Sequence, residues 1–244
     1  MNLYRADLHI HSCLSPCGDW AMSPSGIVSQ SLAKGLDIIA LTDHNSAENA
    51  GAAMAAGRRA GLTVIPGMEV CSREEVHVLG LFETLEQALD MQETVYAHLP
   101  GENTPDLWGD QVVANEANEV IYENQRLLIG ATTLYLDAIV EAVHARSGLC
   151  IAAHVDRPAF SIISNLGFIP PDLAFDAVEV SWRMPLKEAY AQIPGIERFA
   201  CTTASDAHYL PDVGRVWTAF FMESPDFGEI RRALAGEGGR RIEV

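Results

Sequence analysis

Positive charge is what this chain has least of. Its 244 residues carry 16 lysines and arginines against 33 aspartates and glutamates, a formal net charge of −17, and Lys34 and Lys187 are its only lysines. A protein that grips a long stretch of DNA or RNA normally presents a basic face, because phosphate neutralisation dominates such affinity. The balance here argues against a long nucleic acid as partner. It also gives no attraction to an anionic membrane leaflet, and no apolar run approaches the ~18 residues of a membrane span. The opening residues Met1–Asp7 carry no apolar signal region. The five cysteines (Cys13, Cys17, Cys71, Cys150, Cys201) are an odd, scattered set, unlike a disulfide framework. A reduced cytoplasmic protein with cysteines as small core residues is the expectation. Cys13 and Cys17 stand apart because they lie beside a histidine cluster, where a thiolate ligand competes with an inert or supporting role. No Gly-rich phosphate loop and no Gly-x-Ser-x-Gly elbow occurs, so neither of those chemistries is available.

What is present is a core. Hydrophobic residues make up 48% and charged residues 20%, which excludes disorder. Strand-length apolar runs fall at Leu3–Ile10, Asp37–Leu41, Thr63–Pro66, His77–Phe82, Leu149–Ala153, Ala177–Val180, Phe199–Thr203 and Trp217–Met222. Helical periods lie between them at Ser25–Gly35, Ser46–Ala60, Thr84–His98, Leu134–Arg146 and Phe227–Ala235. Ser23-Pro24 is a cap followed by a first-turn proline, and Thr84-Leu-Glu-Gln87 fits a capping box. Such alternation predicts one α/β domain over residues 1–244 with a mostly parallel sheet, open or closed into a barrel. A loop at Pro100–Gly109 and a β-hairpin flanking Asn115–Glu119 interrupt the rhythm, an insertion over about residues 100–126 expected to shape or cover a site.

Six of the eight histidines stand at or next to a strand end, most beside a carboxylate. Asp7-Leu-His9-Ile-His11 sets three polar groups at i, i+2 and i+4, on one face of a strand. Burying three unpartnered polar groups costs several kcal/mol, and a metal ion offsets that, since imidazole and carboxylate are ordinary ligands. The pattern recurs at Thr42-Asp43-His44-Asn45, Gly67-Met-Glu69, Ala153-His154 and Ser205-Asp206-Ala207-His208. Ligands gather at the carboxyl ends of parallel strands. His77 lies early in its run, so it must reach that rim from an antiparallel or irregular segment. A lone histidine is more often a hydrogen-bonded core residue; six with such neighbours point to a multinuclear metal site. His98 and His144, in helical segments, read as structural.

Together these motifs, spanning residues 7 to 208, resemble those of the PHP (polymerase and histidinol phosphatase) superfamily. The resemblance implies a distorted (β/α)7 barrel, here with the hairpin-like insertion, holding two or three divalent metals (zinc, manganese or iron) at its rim. It assigns His9, His11, Glu69 and Asp206 to one metal, Glu69 with His77 and His154 to a second, and His44 with His208 to a third. Members commonly carry a His or Asp in the loop after the first motif to complete the third. Asp19 is the expected counterpart, and Cys17 the alternative. Asp7 and Asp43 are expected to orient neighbouring imidazoles.

The implied activity is phosphoester hydrolysis on a small monoester or a nucleotide or short oligonucleotide end, with His9, His11, Glu69, Asp206 and His208 at the reacting centre. Paired metals would activate water and clamp the phosphoryl oxygens. Nuclease or cyclic phosphodiesterase chemistry is the alternative at the same site, and a non-catalytic metal-stabilised module the other. Arg157, three residues beyond His154, is the expected phosphate binder, with a salt bridge to Asp156 or another acid as the competing role. Arg183 is a second candidate, and its neighbour Trp182 would either stack on a base or pack.

Overall fold

The computed structural model describes residues 1–243. Its strands are β1 (Asn2–Ile10), β2 (Ile38–Leu41), β3 (Thr63–Cys71), β4 (His77–Leu81), β5 (Val112–Ala114), β6 (Val120–Glu123), β7 (Leu149–Ala152), β8 (Ala177–Ser181), β9 (Ala200–Ala204), β10 (Thr218–Met222) and β11 (Arg241–Glu243). Its helices are α1 (Pro24–Ala33), α2 (Ala50–Ala60), α3 (Leu85–Ala97), α4 (Pro105–Trp108), α5 (Leu136–Ala145), α6 (Ile162–Leu166), α7 (Leu186–Gln192) and α8 (Phe227–Leu234).

One sheet runs β11-β10-β1-β2-β3-β4-β7-β8-β9. The pairs β1–β2, β2–β3, β7–β8 and β8–β9 are parallel, whereas β4 is antiparallel to both β3 and β7. The reversal puts the first residue of β4, His77, at the rim where the parallel strands end. Closure is nearly complete. The His11 N–H donates to the Ala207 carbonyl just past β9 at 3.0 Å, and Thr218 of β10 exchanges hydrogen bonds with Thr203 of β9 at 2.8 Å. A single cluster joins Leu8, Ile38, Ile65, Leu79, Ile151 and Ala177, one from each of six strands, with Phe227 and Ile230 of α8. Such contact requires a sheet curled around those side chains. Alternation does the rest: Ile39 and Leu41 face α1 and α2 instead, and Val178 and Val180 lie in the cluster with α3 and α5.

The capping box opens α3: Thr84 Oγ1 accepts from Gln87 N–H, and the Gln87 side chain accepts from Thr84 N–H. Ser23 makes no such bond, so Pro24 alone marks the start of α1. Residues 46–49, expected to be helical, are not. Ser46 Oγ bonds Gln92 and Tyr96, and Asn49 bonds Ser12, the Val112 carbonyl and the Ala114 N–H, so side-chain bonds to distant segments outcompete another helical turn. The short elements α4, α6, α7 and β11 were not expected; none is long enough to show a period. The insertion forms the β5–β6 hairpin.

Candidate metal centre

The strand ends converge on Glu69. Its carboxylate lies 2.9 Å from His44 Nδ1, 2.8 Å from His77 Nδ1 and 3.0 Å from His154 Nε2. His9 Nε2 and His11 Nε2 stand 3.4 and 3.5 Å from it, and 3.5 and 3.3 Å from Asp206 Oδ1. All except Asp206 and His208 are buried. Three sets bring ligand atoms within 4.8 Å of one another: His9, His11 and Asp206; His44, Glu69 and His77; and His11, His44 and His208.

Hydrogen bonding decides which ring nitrogens face inward. The Glu179 carboxylate, with no donor proton of its own, takes the N–H of His9 Nδ1. Ser15 Oγ donates to Asp43 and therefore accepts from His11 Nδ1. Both rings are left with Nε2 directed inward, and those two nitrogens are 3.1 Å apart. Two lone pairs at that separation repel unless a positive charge lies close by. Without a cation, Glu179, Glu69 and Asp206 outweigh burial and raise His9 well above the ordinary imidazole range, while burial, His208 and His44 hold His11 well below it, so a proton on His9 Nε2 donates to His11 Nε2 where a bound cation would otherwise supply the charge. Burial also opposes the Glu69 charge, yet His77, His9 and His44 hold its carboxyl well below the usual range. His154 Nδ1 is buried with no hydrogen-bond partner. Donor type, crowding and this orphaned nitrogen all fit divalent cations.

Backbone strain sits at the same rim. His154 and Asp206 have φ of 29° and 49°, left-handed values rare for non-glycine residues and concentrated at functional sites.

Several expectations need correction. The register of β1 shifts between Asp7 and Ile10, and such irregularities re-aim side chains. Asp7 parts from His9 and accepts from the Ser205 and Gly214 N–H groups, so it anchors loops and orients no imidazole. Glu179, overlooked in the sequence, does that for His9. A lone carboxylate in the apolar run Ala177–Val180 was its only signal. Asp43 does act on an imidazole, through Ser15. Asp19 is exposed; its Oδ1 caps Ala21 N–H at 2.8 Å and it is not brought to the cluster. Two successive turns, Ser15 N–H to Ser12 O and Gly18 N–H to Ser15 O, reverse the loop. Cys17 lines the cavity instead. Burial alone would raise the Cys17 thiol, but His44 and His208 bring it down to about 6.

The cavity, about 210 Å³, is lined by Glu69, His77, His154, Arg157 and Asp206 among others. Arg157 pairs with Asp206 at 2.5 Å, while Asp156 accepts from Ser181. Beside it a groove of about 380 Å³ carries Arg157, Arg183 and Arg215. The Arg215 and Arg183 guanidinium carbons lie 4.5 and 5.0 Å from the Trp182 ring centre. The insertion does not line the cavity; Ile129, just past it, does. The insertion braces the loop after β1 instead, through Val112 N–H to Cys13 O and Trp20 Nε1 to Asp110. His98 and His144 bond Thr94 O and Asp176, away from the cluster.

A nearly closed α/β barrel with imidazoles and carboxylates converging at one rim defines a barrel protein with a candidate metal centre. Residues 7–167 match the PHP domain family, and residues 197–237 match the PHP-associated family. With more than half its length matched, the chain belongs to the PHP domain family. It is 33% identical over 80 residues to a 5'-3' exoribonuclease from Haemophilus influenzae, covering 32% of this chain and 28% of that protein. It is 36% identical over 78 residues to a 3',5'-nucleoside bisphosphate phosphatase from Chromobacterium violaceum, covering 31% and 26%. The chain thus spans little more than a quarter of the length of either relative. Its fold is shared with the lesion-specific endonuclease PfuEndoQ from Pyrococcus furiosus (TM-score 0.72, 22% identity, 99% of this chain and 58% of that one). It is shared also with Endonuclease Q in complex with a 27-mer duplex bearing an abasic lesion (TM-score 0.70, 23% identity, 98% and 58%). The expected exclusion of long nucleic acid therefore finds no support among these proteins. Among the described residues no helix is long and apolar enough to cross a membrane.

Proposed function

We propose that this chain is a metal-dependent phosphoesterase acting on a small phosphate monoester or on a nucleotide or short oligonucleotide end. Two or three divalent ions, zinc, manganese or iron, would be held by His9, His11, His44, Glu69, His77, His154, Asp206 and His208. The observation that carries this is the convergence of five imidazoles on Glu69, with His9 Nε2 and His11 Nε2 3.1 Å apart. Bound ions would supply Lewis-acid charge to the phosphoryl oxygens and lower the pKa of an attacking water.

The chain's own residues do the positioning. Glu179 and the Asp43–Ser15 pair lock the His9 and His11 rings. Arg157, anchored by Asp206 at the cavity wall, offers a guanidinium to phosphoryl oxygens. Arg183 and Arg215 make the adjoining groove cationic within an acidic protein, which suits a substrate carrying further anionic or nucleoside parts. Since both guanidiniums already lie over Trp182, a base can stack there only by displacing one.

The same groove favours nuclease action on a short single strand as the second reading. Metal-loaded protein should be assayed against an aryl phosphate, a mononucleotide, a bis-phosphorylated nucleotide, a cyclic phosphodiester and a 5'-labelled oligomer. Turnover of the monoesters and nucleotide ends is expected; preference for the oligomer would select the nuclease reading. Inertness of fully metallated protein toward every ester would sink both.

A further inference from the structure

We propose that Cys17 is a metal ligand, its thiolate joining His44 and His208 where the family resemblance leads one to expect His or Asp. The proposal rests on the metal-centre reading above.

Cys17 is the one exposed cysteine; the other four are buried. The loop leaves it little freedom. A side chain at Gly18 would put Cβ 2.4 Å from Ser12 O, and one at Gly109 would meet Pro16 O at 2.2 Å. The turn around Cys17 is therefore closed tightly on itself and clamped by the insertion. The next residue but one, Asp19, donates its N–H to the His208 carbonyl at 2.9 Å, tying the loop to the strand end that carries His208. Cys17 lines the same cavity as His44 and His208.

Those imidazoles are already arranged as ligands. His11, His44 and His208 bring nitrogens within 4.8 Å of one another. His208 Nδ1 donates to the Asp206 carbonyl at 2.9 Å, which leaves Nε2 with its lone pair free. Cys17, like His208, lines both the cavity of Glu69 and the arginine groove. Binding would release the thiol proton to solvent. A sulfur donor among imidazoles selects zinc or iron over manganese.

Cobalt(II) titration of metal-free protein tests this. The wild type should develop visible d–d absorption together with a thiolate-to-cobalt charge-transfer band in the near ultraviolet. Cys17→Ser should lose that band and keep d–d absorption, and zinc should protect wild-type Cys17 from iodoacetamide. Cobalt-loaded wild type without the band, or a band that survives Cys17→Ser, overturns the thiolate ligand and leaves the metal centre standing. Failure to bind cobalt at all overturns both.

Discussion

Glu179 holds His9 from across the barrel: its carboxylate oxygens lie 3.1 and 3.2 Å from Nδ1, although the residues are 170 positions apart. That contact dictates which nitrogen of His9 faces the centre. Such partners are worth ~10–100-fold in metal affinity. Glu179→Gln is expected to weaken metal binding by about that factor with an unchanged circular dichroism spectrum, measured by competition with a chromophoric chelator. Unchanged affinity would mean that His9 is oriented by something else.

Asp43 accepts from Ser12 N–H, Ser12 Oγ and Ser15 Oγ at 2.6–2.7 Å. Asp43→Ala orphans buried donors at a cost of ~1–3 kcal/mol each. The expected loss is at least about 2 kcal/mol, a Tm drop of about 4–8 °C for a domain of this size, read by calorimetry.

Ligands that bind only the folded state stabilise it by mass action. Zinc at 100 times its Kd should add about 2.7 kcal/mol, raising Tm by about 5–10 °C, and excess EDTA should reverse the gain. A Tm indifferent to both would speak against a centre that binds in the folded state.

A pH effect is expected far from the rim. The hydrogen bond from Arg240 Nε to Glu229, at 2.7 Å, and that from Glu223 N–H push the Glu229 carboxyl down from 4.5 to about 2. A folded-state pKa below the unfolded one means stability present above pH 4.5 and lost as pH falls toward 2. Glu229→Gln should therefore melt below wild type at pH 7, with the gap closing between pH 4.5 and 2 in a series of thermal melts.

Arg157 and Arg215 should separate kinetically. Arg157→Ala is expected to lower kcat/KM by ~10–100-fold on every phosphate ester, the worth of a hydrogen bond to a charged group. Arg215→Ala should spare a small aryl phosphate and raise KM for substrates that extend into the groove. Equal effects on all substrates would remove the groove from the binding site.

Much of the barrel was legible because its signals are local. The Thr84 box, the Ser23-Pro24 start and strand-length apolar runs each depend on a few adjacent residues. His77 was legible for the same reason: a polar group at the start of its strand meets the rim only from an antiparallel or irregular segment, and β4 is antiparallel. Elements of three to seven residues such as β11, α6 and α7 were invisible because propensity alone does not specify so few residues. Residues 46–49 depart from the helix their sequence predicts because Gln92, Tyr96 and Ser12 compete for their side chains.

By itself, then, the sequence determined the chemical inventory of the rim and the strand ends that deliver it, since strand periodicity and residue type are properties of short segments. Only the tertiary structure decided who serves whom. Barrel closure joins Glu179 to His9, a register shift sends Asp7 to Ser205 and Gly214, and two tight turns present Cys17 while leaving Asp19 in solvent. These outcomes depend on backbone paths meeting across the fold, where a shift of one residue exchanges one side chain for its neighbour.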